Sequence, residues 1–293
     1  MEIQNFTLKQ DGFIGRLCRP EDNHFPGKAF LVVGGGDGRY SITKAVAAYF
    51  AGAGLTALAL AYWNQPGLPS EVAHIPLETI EKPVELLREQ GAQKVGMWGI
   101  SKGAELALLC GSYFPELISA VVAVSPASHV IQGFQMTNRH HLMTKPLETS
   151  PFTYQGNPLP YVKTQESAKR SLMESIRRRG IYFRPGYEHV YDAPPEETAI
   201  PVERCSGPVL LLAAEQDDMW DSCISCENIL RRLREYNFPY PVQYEHYPYG
   251  SHMLFPVRTV LSKLFRIERE HAAEYKQSCL DSFEKTMEFI KSC

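Results

Sequence analysis

Residues 94–114, KVGMWGISKGAELALLCGSYF, decide how the chain is read. Lys94–Gly99 is a short apolar run with no helical period, which suits a buried strand, and Ala104–Phe114 repeats its apolar residues as a helix does. Between them stands Gly99-Ile100-Ser101-Lys102-Gly103. A G-x-S-x-G string alone recurs by chance, but strand before and helix after is the setting of a nucleophile elbow. Glycines two residues either side of the serine let strand and helix approach closely, while the serine itself takes a strained turn conformation. The hydroxyl then stands at the carboxyl end of the sheet. The competing reading is an ordinary strand-to-helix turn in which Ser101 caps the helix.

The same alternation extends both ways. Upstream lie KAFLVV (28–33), the glycine run 34–38, a helix over 40–51, LTALALA (55–61) and a helical stretch over 76–90 that stops at Gly91. Downstream lie ISAVVAVS (118–125), PVLLLAAE (208–215), a helix over 222–236, VQYEHYP (242–248) and a helix over 268–292. The opening residues 2–20 read as a hairpin about Asp11-Gly12. Near-continuous apolar strands separated by helices predict an α/β fold with a mostly parallel sheet covered on both faces. Residues 127–200 break the pattern with Pro, Gly, aromatics and Arg and one helix over 165–179, as an inserted lid or binding element would. The expectation is one domain, 1–293, carrying that insertion.

Composition narrows the function. The 293 residues are 44% hydrophobic and 22% charged, ordinary for a globular chain. Thirty Lys and Arg stand against 33 Asp and Glu, a net charge of -3, so no basic excess points to nucleic acid. The seven cysteines are scattered and odd in number, and the first residues lack a basic stretch followed by an apolar one. Reduced thiols and a cytoplasmic location are therefore expected. Residues 45–63 carry no charge, but Gly52 and Gly54 divide them into a helix end and a strand rather than a membrane span.

The other members of a hydrolytic triad follow Ser101 in the order acid, then histidine. Gln216-Asp217-Asp218 ends one predicted strand and Tyr249-Gly250-Ser251-His252 ends the next, so both loops emerge at the rim that holds Ser101. His252 would take the serine proton and return it to the leaving group, and a carboxylate would hold the imidazole tautomer. On the residues alone, Asp217 and Asp218 compete for that role. The oxyanion needs two N–H donors: Lys102 after the nucleophile, and Gly36 or Asp37 in the glycine run. That run lacks the spacing of a phosphate loop.

Cys223-x-x-Cys226 has no second pair or histidine at zinc-like spacing, so no metal or redox cofactor is implied. Arg177–Arg179 read as a solvated helix face rather than a phosphate clamp. His74, His140, His141, His189 and His246 read as surface or packing residues.

With Gly-Ile-Ser-Lys-Gly-Ala-Glu at 99–105 in view, the chain resembles the acyl-CoA thioester hydrolases and bile acid-CoA:amino acid N-acyltransferases, an α/β-hydrolase family. Further matches are Ala59–Asn64, Tyr154–Pro160, Ile200–Arg204, Gln216–Trp220 and Gly250–His252, all in order. The resemblance implies that the acid is the second aspartate, Asp218. It also implies that serine at the nucleophile position goes with hydrolysis, where the amino-acid transferases use cysteine. Animal members carry a β-sandwich domain ahead of this region, which the stretch before Lys28 is too short to hold. The expected reaction is hydrolysis of an acyl-CoA thioester through an acyl-serine, on a small-molecule substrate, with Phe134, Tyr154 and Tyr161 of the insertion either lining an acyl pocket or packing the insertion onto the sheet. The alternatives are an esterase or peptidase acting on a non-CoA substrate, a CoA-dependent acyltransferase, and a binding protein that keeps the fold without catalysis.

Overall fold

A computed structural model of the chain describes residues 1–136, 144–165, 168–257 and 263–293. Eight strands build the main sheet: β1 (Glu2–Phe6), β2 (Ile14–Arg19), β3 (Lys28–Val33), β4 (Thr56–Ala61), β5 (Lys94–Ile100), β6 (Ala120–Val124), β7 (Val209–Ala214) and β8 (Val242–Tyr247). Their order across the sheet is β1-β2-β4-β3-β5-β6-β7-β8. The first hairpin and the β2–β4 pair are antiparallel, and every pair from β4 to β8 is parallel. The expected hairpin forms, but its connection is a helical turn over Leu8–Asp11 that ends on Gly12 at φ 77.

Alternate residues of each strand feed opposite faces. Leu31, Val33, Met97, Val121 and Leu211 pack under α2 (Glu81–Glu89), α3 (Lys102–Tyr113) and α5 (Ser222–Glu235). Phe30, Val32, Trp98, Val122 and Leu212 pack under α1 (Tyr40–Gly52) and α6 (Ala272–Ser292). In β3 to β7 both faces are buried, so each large strand residue contributes about 1.5–3 kcal/mol by leaving water, whereas β1 and β8 at the edges are largely exposed or half-buried.

The uncharged stretch 45–63 is the end of α1, a turn at Gly54 (φ 89) and β4. No helix among the described residues is long and apolar enough to cross a membrane. Register aligns the carboxyl ends of the strands. Val33 pairs with Gly99, Ile100 with Val124, and Ala214 with Tyr247, so the loops after β3, β5, β6, β7 and β8 share one rim. The insertion adds short strands at Phe134–Met136, Thr144–Pro146, Phe152–Tyr154 and Asn157–Pro158, then α4 (Ala168–Arg178) and several 3-10 turns.

Candidate active site

Ser101 adopts φ 58 and ψ -125, a region a non-glycine residue enters at a cost of about 1–3 kcal/mol. Its N–H donates to the Val124 carbonyl at 2.9 Å, and its own carbonyl accepts from Ala104 and Glu105, so strand and helix both pin the turn. The flanking glycines are steric necessities. A Cβ on Gly99 would lie 2.0 Å from the Gly103 carbonyl oxygen, and one on Gly103 would lie 2.4 Å from that of Gly34. Ser101 stands at the N-cap of α3 but makes no capping hydrogen bond through its side chain, which removes the capping alternative.

His252 is 4% exposed, and its Nδ1 lies 2.9 and 3.0 Å from the two carboxylate oxygens of Asp217. Its Nε2 is buried and has no hydrogen-bond partner among the described residues. Contacts to the ring, to its backbone and to the neighbouring indole hold His252 in place. The Trp220 indole stands edge-on to it at 4.7 Å, the Ser125 hydroxyl donates to the His252 carbonyl, and the Trp220 N–H donates to the Pro126 carbonyl.

The acid is where expectation and structure part. Family resemblance points to Asp218, but Asp217 carries the imidazole. Asp217 closes a turn onto Ala214, and its Oδ1 also accepts the backbone N–H groups of Met219 and Trp220. That aims the carboxylate inward at His252. The next side chain therefore leaves on the other side of the backbone. Asp218 faces the insertion, and the Phe183 N–H donates to its carbonyl at 2.7 Å. Burial, reinforced by the neighbouring Asp217 and opposed by Arg178, Arg266 and Arg184, pushes the Asp218 carboxyl up to about 6. The one sequence signal for Asp217 was the turn chemistry of an aspartate whose side chain bonds the backbone two and three residues on.

In the glycine loop, Gly35 lies closest to the nucleophile. A Cβ there would sit 3.5 Å from Ser101 Oγ, whereas one on Gly36 would strike the Phe134 ring at 2.6 Å. Gly36 and Asp37 follow directly after this point of close approach. Lys102 begins α3, whose first N–H groups have no intrahelical acceptor. Its side chain plays a part that sequence reading missed. Lys102 Nζ lies 2.8 Å from Glu105 Oε2 and donates to the Ile131 carbonyl at 2.8 Å, while Glu105 Oε1 accepts the Ile131 N–H. Both side chains are buried. Burial raises the Glu105 carboxyl to about 7 and lowers the Lys102 ammonium, each opposed by its partner. A buried pair gives little net stability, but here it holds both backbone groups of one residue at the base of the insertion.

The expected pocket residues divide. Phe134 lies at the glycine loop, edge-on to Trp63 at 5.9 Å. Tyr154 packs instead on Tyr113 and Phe114, at the far end of α3 and about 18 Å along the helix from Ser101. It is a packing residue. Tyr161 packs half-buried against the main core beside Val162, which bridges Ile131. Tyr187, not singled out from the sequence, sets its ring 5.4 Å from Trp220.

His74, His189 and His246 engage Thr149, the Lys163 carbonyl and Glu215, away from Ser101, and His140 and His141 lie outside the described residues. Cys223 and Cys226 are unbridged in the first turns of α5, and no cluster among the described residues could hold a metal.

Residues 75–262 match the family described as BAAT / acyl-CoA thioester hydrolase C terminal. Mouse acyl-coenzyme A thioesterase 1 is 28% identical over 241 residues, covering 81% of this chain and 50% of that protein. The human protein of the same name is 28% identical over 247 residues, covering 81% and 51%. Mouse acyl-coenzyme A thioesterase 2, mitochondrial, is 28% identical over 241 residues, covering 81% and 47%. The chain thus spans about half the length of these curated relatives. Among solved structures, a Klebsiella pneumoniae protein assigned as a dienelactone hydrolase superposes with a TM-score of 0.56 at 13% identity, covering 100% of this chain and 99% of that one. A dienelactone hydrolase-like promiscuous phosphotriesterase from metagenomic libraries gives 0.53 at 12% identity, covering 99% and 97%. The fold is that of the α/β-hydrolases.

Proposed function

The chain belongs to the BAAT / acyl-CoA thioester hydrolase C-terminal family, and from that membership we propose that it hydrolyses acyl-CoA thioesters to free acid and CoA through an acyl-serine intermediate. The observation that carries the reading is the state of His252: Nδ1 is held by Asp217 while the buried Nε2 is uncommitted at the rim that presents Ser101.

In the proposed sequence, Nε2 takes the proton of Ser101 as Oγ attacks the thioester carbonyl carbon. The oxyanion is held by the N–H of Lys102 and one N–H of residues 35–37. Collapse breaks the C–S bond, and the departing sulfur takes the proton from Nε2. A thiol of pKa about 8–9 leaves with little acid assistance, which suits this machinery to thioesters. Water then attacks the acyl-serine, with His252 first removing and then returning a proton. Asp217 keeps Nδ1 protonated and stabilises the imidazolium. Asp218 is assigned no proton transfer.

Three contacts support a role for residues 127–200 as the acyl-binding lid of a single hydrolase domain: Phe134 on the glycine loop, Phe183 on the Asp218 carbonyl, and Tyr187 on Trp220. The seven unbridged cysteines support a reducing compartment such as the cytoplasm.

The test is kcat/KM on acyl-CoA and on oxygen esters of the same acids over several chain lengths. A preference of at least about tenfold for the CoA esters is expected, worth about 1.4 kcal/mol in the transition state. Equal or better rates on the oxygen esters would make the chain an esterase using the same triad.

A further inference from the structure

α4 in the insertion is amphipathic in the reverse sense of every other helix in the fold. Leu172, Met173 and Ile176 lie within one turn of each other on one face and are 60%, 61% and 68% exposed, the most open large apolar side chains among the described residues. The face turned to the protein is polar. Ser171 is buried, the Ser175 hydroxyl accepts the Tyr182 N–H at 3.0 Å, Glu174 pairs with Arg178, and the Arg178 guanidinium stacks on the Tyr182 ring at 3.7 Å. A helix that anchors by serines and an ion pair while presenting leucine, methionine and isoleucine to solvent is built to meet an apolar partner.

Charge narrows the partner. Residues 168–179 hold five cations (Lys169, Arg170, Arg177, Arg178 and Arg179) and one anion, Glu174, in a chain of net charge -3. Lys169 lies three and four residues before Leu172 and Met173, so a cation stands on the apolar face itself. Arg177 borders that face, its side chain 68% exposed, and pairs at 2.7 Å with Glu174, which it shares with Arg178, so the cluster keeps a net positive charge. A second copy of the chain would bring these cations against their equivalents. Three side chains also fall well short of the roughly 800 Å² per partner that a stable dimer buries. A bilayer needs no shape-complementary pocket, and basic residues around a short apolar stripe are the pattern of a helix lying in a membrane interface.

We propose that the outward face of α4 docks the protein on anionic lipid surfaces, with Leu172, Met173 and Ile176 entering the headgroup boundary and Lys169, Arg177 and Arg179 on lipid phosphates. After α4 the chain turns at Arg179 (φ 52) into Ile181–Phe183, and the Phe183 N–H donates to the carbonyl of Asp218, next to Asp217. Docking there holds the insertion at the interface where long-chain amphiphiles partition.

The test is co-sedimentation with phosphatidylcholine vesicles, alone or with about one-third phosphatidylglycerol. The protein is expected to bind the anionic vesicles at least about tenfold more tightly than the neutral ones, and to lose a similar factor when salt rises from about 0.1 to 0.5 M. The L172Q/M173Q/I176Q variant, which keeps every charge, is expected to lose at least about tenfold in binding while its circular dichroism and its urea midpoint match the parent. Three results would overturn the proposal. The parent protein stays in the supernatant with anionic vesicles; the triple variant binds as well as the parent; or light scattering shows a dimer that the triple variant splits, which would assign the face to a second copy.

Discussion

At the sheet rim, each side chain of the proposed triad is held by the ends of strands and by helix backbone. Ser101 is pinned between β5 and α3, and His252 and Asp217 are locked by Trp220, Ser125 and two backbone N–H groups. The insertion is held differently. It meets the rest of the fold at separate points through side chains and backbone together: the Lys102–Glu105 pair holds Ile131, the Phe183 N–H reaches the Asp218 carbonyl, and Ser175 ties α4 to Tyr182. The rim therefore fixes Ser101, Asp217 and His252 through backbone, while the outer insertion supplies surface that is expected to be alterable without moving them. Activity and selectivity are therefore expected to separate between these two regions.

The largest expected effect belongs to the rim. Ser101→Ala should lower kcat by at least about a thousandfold in steady-state assays, leaving only what the oxyanion donors and binding supply. Turnover near the parent level would remove the nucleophile from the account.

Next is the contrast between adjacent aspartates. Asp217→Asn should cost about a hundredfold to ten-thousandfold in kcat, because an amide cannot hold the imidazole tautomer or stabilise the imidazolium. Asp218→Asn should stay within about tenfold. Reversed magnitudes would restore Asp218 as the acid. Stability gives an independent reading. The folded-state pKa of Asp218 is raised from 3.8 to about 6, so the native state binds the proton more tightly than the unfolded chain does. The native state is thus favoured at low pH and loses that advantage as pH rises through about 6. Asp218→Asn should therefore raise the urea midpoint above pH 6 and leave it little changed below 3.8.

Gly99→Ala tests the packing that holds the rim together. Its methyl would meet backbone that cannot retreat, so a loss of at least about 3 kcal/mol in urea unfolding is expected. A loss under about 1 kcal/mol would show that strand and helix can separate there.

The smallest effect belongs to the insertion. Phe134→Ala should change kcat on a short acyl substrate by less than about threefold, yet shift the dependence of KM on chain length, since it opens space beside the glycine loop without touching Ser101. Equal losses on every chain length would make Phe134 part of the rim.

The sheet was legible in sequence because strands buried on both faces leave unbroken apolar runs, as in KAFLVV and LTALALA, with glycines at the ends. The elbow was legible because Gly99 and Gly103 mark a contact that only glycine permits. The acid was not, since Asp217 and Asp218 have the same chemistry and a single backbone turn decides which of them faces His252. The buried Lys102–Glu105 pair was hidden because a Lys and a Glu three apart on a helix ordinarily mean a solvated face. Tyr154 misled for a related reason: an aromatic in an insertion looks alike whether it lines a pocket or packs on a helix end.

The most direct measurement is labelling with a fluorophosphonate probe, followed by mass mapping of the modified peptide. One adduct per chain on Ser101 is expected, absent in Ser101→Ala, much slower in Asp217→Asn and near the parent rate in Asp218→Asn. Thioester cleavage that persists with Ser101 unlabelled, or an adduct on another residue, would contradict the account.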